Sequence, residues 1–197
     1  MVEIYDDFLS EVNYNNILDL FLKNKNPNGG YYQVPWLWGD EVVPDSFVHV
    51  CDKLDNWQLY NVIYNRSEVF DKVCWETLIP LLEDKRLDLR SVVRIKANLN
   101  PRHTEIVKHG YHVDVPFECT TAIFYVNSND GRTEFNDGQV IESKANRLIT
   151  FPSTKIHSGT TCTNEKRRIV INFNYFKAPI DSRFSDYGYK YSSSPFY

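Results

Sequence analysis

The spacing of hydrophobic residues changes period once along this chain, near residue 90. Before that point it is helical. Residues 8–23 carry Leu9, Val12, Ile17, Leu20 and Phe21 as an apolar stripe, which predicts an amphipathic helix. Asn26-Pro27-Asn28-Gly29-Gly30 then breaks the chain. Ser67 is placed to cap a second helix over about 68–83, where Val69, Val73, Leu78, Ile79 and Leu82 recur at helical spacing. From Ser91 the period becomes two. Val93, Ile95, Ala97 and Leu99 share one face of a strand, and Arg94, Lys96, Asn98 and Asn100 share the other. Further strands are expected at about 110–115, 119–127, 133–135, 147–152 and 167–176. Helices followed by a run of short strands predict a mainly β protein with flanking helices (α+β), its core an antiparallel double-sheet barrel.

The last strand gives its own phase. Ile169, Ile171, Phe173 and Tyr175 alternate with Arg168, Val170, Asn172 and Asn174. If the apolar set packs on the helices, the second set lines the barrel. Arg168 then points inward, and Arg167 lies on the helix side with its head toward solvent.

The inward-facing residues acquire meaning beside one motif. His112-Val113-Asp114 places an imidazole and a carboxylate on one face of an extended segment, because residues i and i+2 point the same way. His157 follows the apolar run Arg147-Leu148-Ile149-Thr150-Phe151-Pro152, at the turn after a strand. Two imidazoles and one carboxylate are the three protein ligands of a non-haem ferrous site with open positions. A lone His-x-Asp is a weak signal. Joined to a distal His and to a basic residue ten or eleven positions later, it is stronger. A guanidinium in the same pocket would act as a fork for a carboxylate. Iron together with a carboxylate clamp points to an oxygenase that consumes 2-oxoglutarate.

Bulk properties narrow the alternatives. At 197 residues one domain is expected: 1–90 as helical and aromatic support, 91–176 as core and 177–197 as a tail. Aromatic content of 15% argues for a packed protein rather than a disordered one. A net charge of −4 makes duplex nucleic acid a poor partner. The acidic start, residues 1–7, lacks a long apolar stretch, and no 18-residue apolar run follows, so neither a secretory signal nor a membrane span is expected. Cys51, Cys74, Cys119 and Cys162 lie far apart, which fits reduced thiols and a cytoplasmic location. The aromatic stretch Tyr31 to Trp38 reads as core packing in preference to a pocket wall. Residues 100–110, with His103 and His109, read as an entrance loop. Thr160 and Thr161 read as turn caps.

Residues 90–176 resemble the Fe(II)/2-oxoglutarate-dependent dioxygenases, in particular the prolyl-4-hydroxylase-like branch, and the whole is similar to small oxygenases encoded by bacteriophages. That resemblance implies a double-stranded β-helix (jelly-roll, cupin-like) core. It implies Fe(II) on His112, Asp114 and His157. The far carboxylate of 2-oxoglutarate would lie on Arg168. Thr121 to Asn127 looks like the family strand ending in Tyr-Leu-Asn, which would give the Tyr125 hydroxyl a share in that contact. Asn98 would donate to the iron-side carboxylate. Asn129-Asp130-Gly131-Arg132 resembles the family's Asp-Gly-Gly turn, with Arg132 in place of the second Gly. Implied cofactors are Fe(II), 2-oxoglutarate and O2, with ascorbate as a possible reductant; if the chain is phage-encoded, the compartment is the host cytoplasm. The primary substrate is left open between a peptide side chain and a small amino-acid-like metabolite. The rival reading is a cupin-like metal-binding protein without oxygenase activity, an isomerase or a binding module.

Overall fold

The computed structural model describes residues 1–42 and 53–178. The Tyr-rich tail, 186–194, lies outside the described residues, as does part of the 31–66 stretch. In chain order the described elements are β1 (Glu3–Tyr5), α1 (Glu11–Lys23), β2 (Leu37–Gly39), β3 (Gln58–Asn65), β4 (Glu68–Val69), α2 (Lys72–Leu82), β5 (Leu89–Pro101), β6 (Thr120–Tyr125), β7 (Arg132–Phe135), β8 (Val140–Glu142), β9 (Arg147–Pro152), β10 (His157–Gly159) and β11 (Arg167–Lys177). The large sheet runs β1-β9-β6-β11-β5-β3-β2, with β4 added to β3; the small sheet runs β10-β7-β8. All named pairs are antiparallel.

Alternation along the strands builds two layers. Ile169, Ile171, Phe173 and Tyr175 of β11 join Ile95, Ala97 and Leu99 of β5 and Ala122 and Phe124 of β6. Together they bury against Ile17, Leu20 and Phe21 of α1 and Cys74, Leu78 and Leu81 of α2. Each large side chain buried this way contributes on the order of 1.5–3 kcal/mol. The opposite face of the same strands meets the small sheet. There Ile123, Tyr125, Ile149, Phe151 and Val170 pack with Phe135 and Ile141. The remainder of that inner face is polar and lines a cavity.

Both helices start later than their patterns suggested. Ser10 accepts from Asn13 N and caps α1, so Leu9 packs ahead of the helix and Val12 is exposed. Ser67 does not cap α2. It follows Arg66 in the left-handed region (φ 48° and 69°), and the pair forms the turn of a hairpin in which Tyr64 faces Val69. Asp71 caps α2 instead, accepting from Cys74 N. A strand at 110–115 is also absent: only His112 makes a bridge there. Its facing ladder is too short to continue past His157. On β5, a register shift opposite Asn174/Tyr175 turns Val92 rather than Val93 toward the helices.

The segment leading into α1 is fastened to the end of β6 by Asn146. Its side chain accepts from Leu9 N at 2.9 Å and donates to Leu9 O at 2.9 Å, while its backbone is left-handed at φ 58°. Asn146→Ala removes two buried hydrogen bonds and leaves a Cβ residue strained. We expect a loss of about 2–4 kcal/mol of stability, read as a lower urea midpoint at unchanged slope.

Candidate functional site

The two imidazoles meet through backbone pairing. His112 N donates to His157 O at 2.8 Å, and His157 N donates to His112 O at 3.0 Å, forming an antiparallel hydrogen-bonded pair. The ring centroids are 4.7 Å apart. β10 is itself held by β7, with His157 opposite Phe135. Each ring then has its Nδ1 against a backbone carbonyl: Gly110 O for His112 and Lys155 O for His157, both at 3.2 Å. Protonation at Nδ1 satisfies those contacts and leaves both Nε2 lone pairs free.

Asp114 completes the cluster. Its Oδ1 lies 3.8 Å from His112 Nε2 and its Oδ2 lies 3.9 Å from His157 Nε2. One ligand atom from each of the three residues falls within 4.8 Å of the others. Two atoms bound at about 2.1 Å to one ion stand at most about 4.2 Å apart, so both carboxylate–imidazole spans are within reach of a single cation. His157 Nε2 and Asp114 Oδ2 are buried without a hydrogen-bond partner. Buried polar atoms rarely stay unpaired, and these two converge on the same point. The electrostatics agree. Burial, with His157 beside it, pushes the His112 imidazole down to about 4, which keeps it neutral. Burial alone would raise the Asp114 carboxyl, but His157, His112, Arg94 and Lys96 outweigh it, and the group lies below its usual range.

A cavity of about 280 Å³ opens beside the cluster. Arg168 enters it from β11, opposite Asn100 of β5. Its Nε donates to Ser143 Oγ at 2.8 Å and its Nη2 to Thr133 Oγ1 at 3.2 Å. It is 2% exposed, and among the described residues no carboxylate pairs with it. Burial lowers its pKa. Arg167 points the other way and donates to Leu22 O at 2.7 Å, satisfying a carbonyl in the last turn of α1. Asn98 lines the cavity with its amide oxygen buried and unpartnered. Tyr125 is not in the wall. Its hydroxyl donates to Thr133 Oγ1 at 2.8 Å, so Thr133 connects it to Arg168.

The wall includes a residue that the sequence had put in the entrance loop. His109 is buried, 3.4 Å from Asn100 Nδ2 through Nε2, and burial pushes its imidazole down to about 4. His103 sits outside, near Trp57 and Asp55. The segment around them is not loose: residues 102, 103, 107 and 109 hydrogen-bond to 159–166. Arg94, Lys96 and Asn172 also line the cavity, and the strand alternation had already put them on that face. Ser143 and Thr133 carried no legible signal, because they lie on or beside three- and four-residue strands. Thr160 Oγ1 and Thr161 Oγ1 accept from Arg132 N and Val107 N, in keeping with capping roles. Trp36 packs on the helix-side core, whereas Trp38 is exposed and stacks on Trp57 at 4.4 Å.

No family model matches this chain, and no curated protein sequence matches it. Solved structures do. A prolyl-4-hydroxylase from Pseudomonas putida matches 89% of this chain and 92% of its own, with a TM-score of 0.51 and 14% identity. A prolyl hydroxylase from Trichoplax adhaerens, in complex with a hypoxia inducible factor peptide fragment, matches 89% and 83%, with a TM-score of 0.52 and 16% identity. The epimerase SnoN of nogalamycin biosynthesis, in complex with Fe3+, alpha ketoglutarate and nogalamycin RO, matches 100% and 88%, with a TM-score of 0.58 and 12% identity. At these identities the likeness establishes the fold: mainly antiparallel β, with the double-stranded β-helix core of the 2-oxoglutarate/Fe(II) oxygenases.

Proposed function

We propose that the protein is an Fe(II)- and 2-oxoglutarate-dependent dioxygenase, and that the chain is one domain built around that site. One observation carries the reading. A buried guanidinium with no acid partner among the described residues faces the same cavity as a His-Asp-His cluster in which His157 Nε2 and Asp114 Oδ2 are buried and unpartnered. A cation and a carboxylate-bearing ligand would satisfy both at once. A metal-binding protein that used no organic acid would have no call for Arg168 in a desolvated position.

His112, Asp114 and His157 would hold the iron. Arg168 would take the far carboxylate of 2-oxoglutarate with its remaining N–H donors, while Ser143 and Thr133 hold the guanidinium in place. Tyr125 would act on that contact through Thr133. Asn98 would donate to the cosubstrate's other end. When bound, the iron and cosubstrate would supply oxidation of a substrate C–H bond by O2, coupled to decarboxylation of 2-oxoglutarate to succinate. The chain's own part is to orient these groups and to keep water from them. The substrate is a peptide side chain or a small amino-acid-like metabolite. The test is anaerobic addition of Fe(II) and 2-oxoglutarate to the purified protein, followed by air. A visible charge-transfer band and succinate in amounts that track the protein are expected; neither appearing would reject the assignment.

Gly131 offers an indirect check on Arg168. A Cβ at that position would lie 2.6 Å from Arg168 Cδ and 2.6 Å from Thr161 O. Gly131→Ala must therefore shift the arginine stem. We expect 2-oxoglutarate to bind roughly tenfold more weakly, with a stability loss of about 1–3 kcal/mol from overpacking. Titration calorimetry and urea unfolding read the two effects separately.

A further inference from the structure

The cavity has a second cationic end that 2-oxoglutarate does not account for. Among the described residues its wall carries Arg94, Lys96 and Arg168 against a single carboxylate, Asp114, in a protein whose net charge is −4. A divalent cation at the cluster adds to that surplus, and one dianion offsets only part of it. The cations are also separated. Arg168 sits opposite Asn100 and Lys96 opposite Asn172, four residues apart on both strands. At 3.3 Å per residue that is about 13 Å of backbone. The carboxyl carbons of 2-oxoglutarate are roughly 5 Å apart, given C–C bonds of about 1.5 Å.

Lys96 is the telling group. It stands over the Tyr60 ring at 4.7 Å, and among the described residues no carboxylate forms an ion pair with it. Arg94 reaches Asp114 only at 3.5 Å, and its Nε is buried without an acceptor. Asn172, in the same wall and 8% exposed, carries an amide whose N–H2 can donate to an anion. Two part-buried cations that share one carboxylate, Asp114, with the metal cluster are favoured by a ligand that brings further negative charge.

We propose that Lys96, assisted by Arg94 and Asn172, binds an anionic group of the primary substrate, so that the substrate is a small carboxylic or phosphoric acid rather than an uncharged peptide side chain. This rests on the oxygenase reading above, in which Arg168 is taken by the cosubstrate. The cavity volume, about 280 Å³, lies just under the roughly 300–1,000 Å³ usual for small-molecule sites and leaves room for a small acid only.

The test uses the whole protein with Mn(II), which supports binding without turnover. Titration calorimetry with 2-oxoglutarate comes first. The saturated complex is then titrated with N-acetyl-L-proline, benzoate and glycerol 3-phosphate, each beside its uncharged amide or alcohol. At least one anion is expected to bind, with its neutral twin weaker by roughly tenfold or more. Lys96→Met should weaken that anion by roughly tenfold or more, and Lys96→Arg should largely retain it. Lys96→Met should also raise the urea midpoint of the ligand-free protein, because a part-buried cation repelled by Arg94 is removed. Equal binding of the neutral twins, no second binding by any anion, or a fallen urea midpoint would overturn the proposal. So would a comparable loss of 2-oxoglutarate affinity in Lys96→Met, since Lys96 would then belong to the cosubstrate. Failure of 2-oxoglutarate to bind in the first titration is a different result and counts against the oxygenase reading itself.

Discussion

Asp114→Ala is expected to abolish ferrous ion binding, with affinity falling by roughly 100-fold or more, since even partners behind the ligands cost 10- to 100-fold when removed. The carboxylate is the only anion facing the two Nε2 atoms among the described residues. Without it, the two imidazoles remain beside Arg94 and Lys96, and that environment repels a divalent cation. The backbone pairing of His112 with His157 does not depend on the carboxylate, so the imidazoles should stay adjacent. Metal content after anaerobic loading and desalting is the readout. An Asp114→Ala protein that keeps one equivalent of iron would show that the ion binds elsewhere.

Arg168→Met carries the second large effect, this time on the cosubstrate. A buried, charge-assisted hydrogen bond to a carboxylate is worth about 1.5–3 kcal/mol, and a guanidinium can supply two. At 1.4 kcal/mol per factor of ten, the dissociation constant of 2-oxoglutarate should rise by about 100-fold. Methionine keeps much of the volume and removes a buried charge that no acid offsets, so the ligand-free protein should lose little stability. Arg167→Ala gives the mirror image. It loses the contact with Leu22 O and costs about 1 kcal/mol of stability, with 2-oxoglutarate affinity unchanged. If Arg168→Met unfolds the protein while leaving 2-oxoglutarate binding intact in what remains folded, the arginine is a structural group and the cosubstrate contact lies elsewhere.

The long strands were readable because both of their faces are buried but differ in polarity. On β5 and β11 the alternation separated the helix-side residues from the cavity-side residues, and Arg168 from Arg167, before any partner strand was known. β3 was harder to see, since a register shift between Val62 and Tyr64 breaks its alternation. The hairpin at Arg66-Ser67 overrode a good capping residue, because two left-handed residues in succession turn the chain before a helix can begin. The aromatic segment was mixed: Trp36 is packed, while Trp38 stacks in the open.

The sequence by itself determined which residue types could form the site and which face of each long strand they occupy, because a period of two is a local property of the backbone. The tertiary structure alone decided their convergence. His112 and His157 are 45 residues apart and are made adjacent by hydrogen bonds between their segments that no local pattern encodes. It also decided that Tyr125 stands behind Thr133, that His109 is buried, and that Lys96 forms no ion pair among the described residues. Those are facts about what surrounds a side chain, and surroundings are assembled from distant parts of the chain.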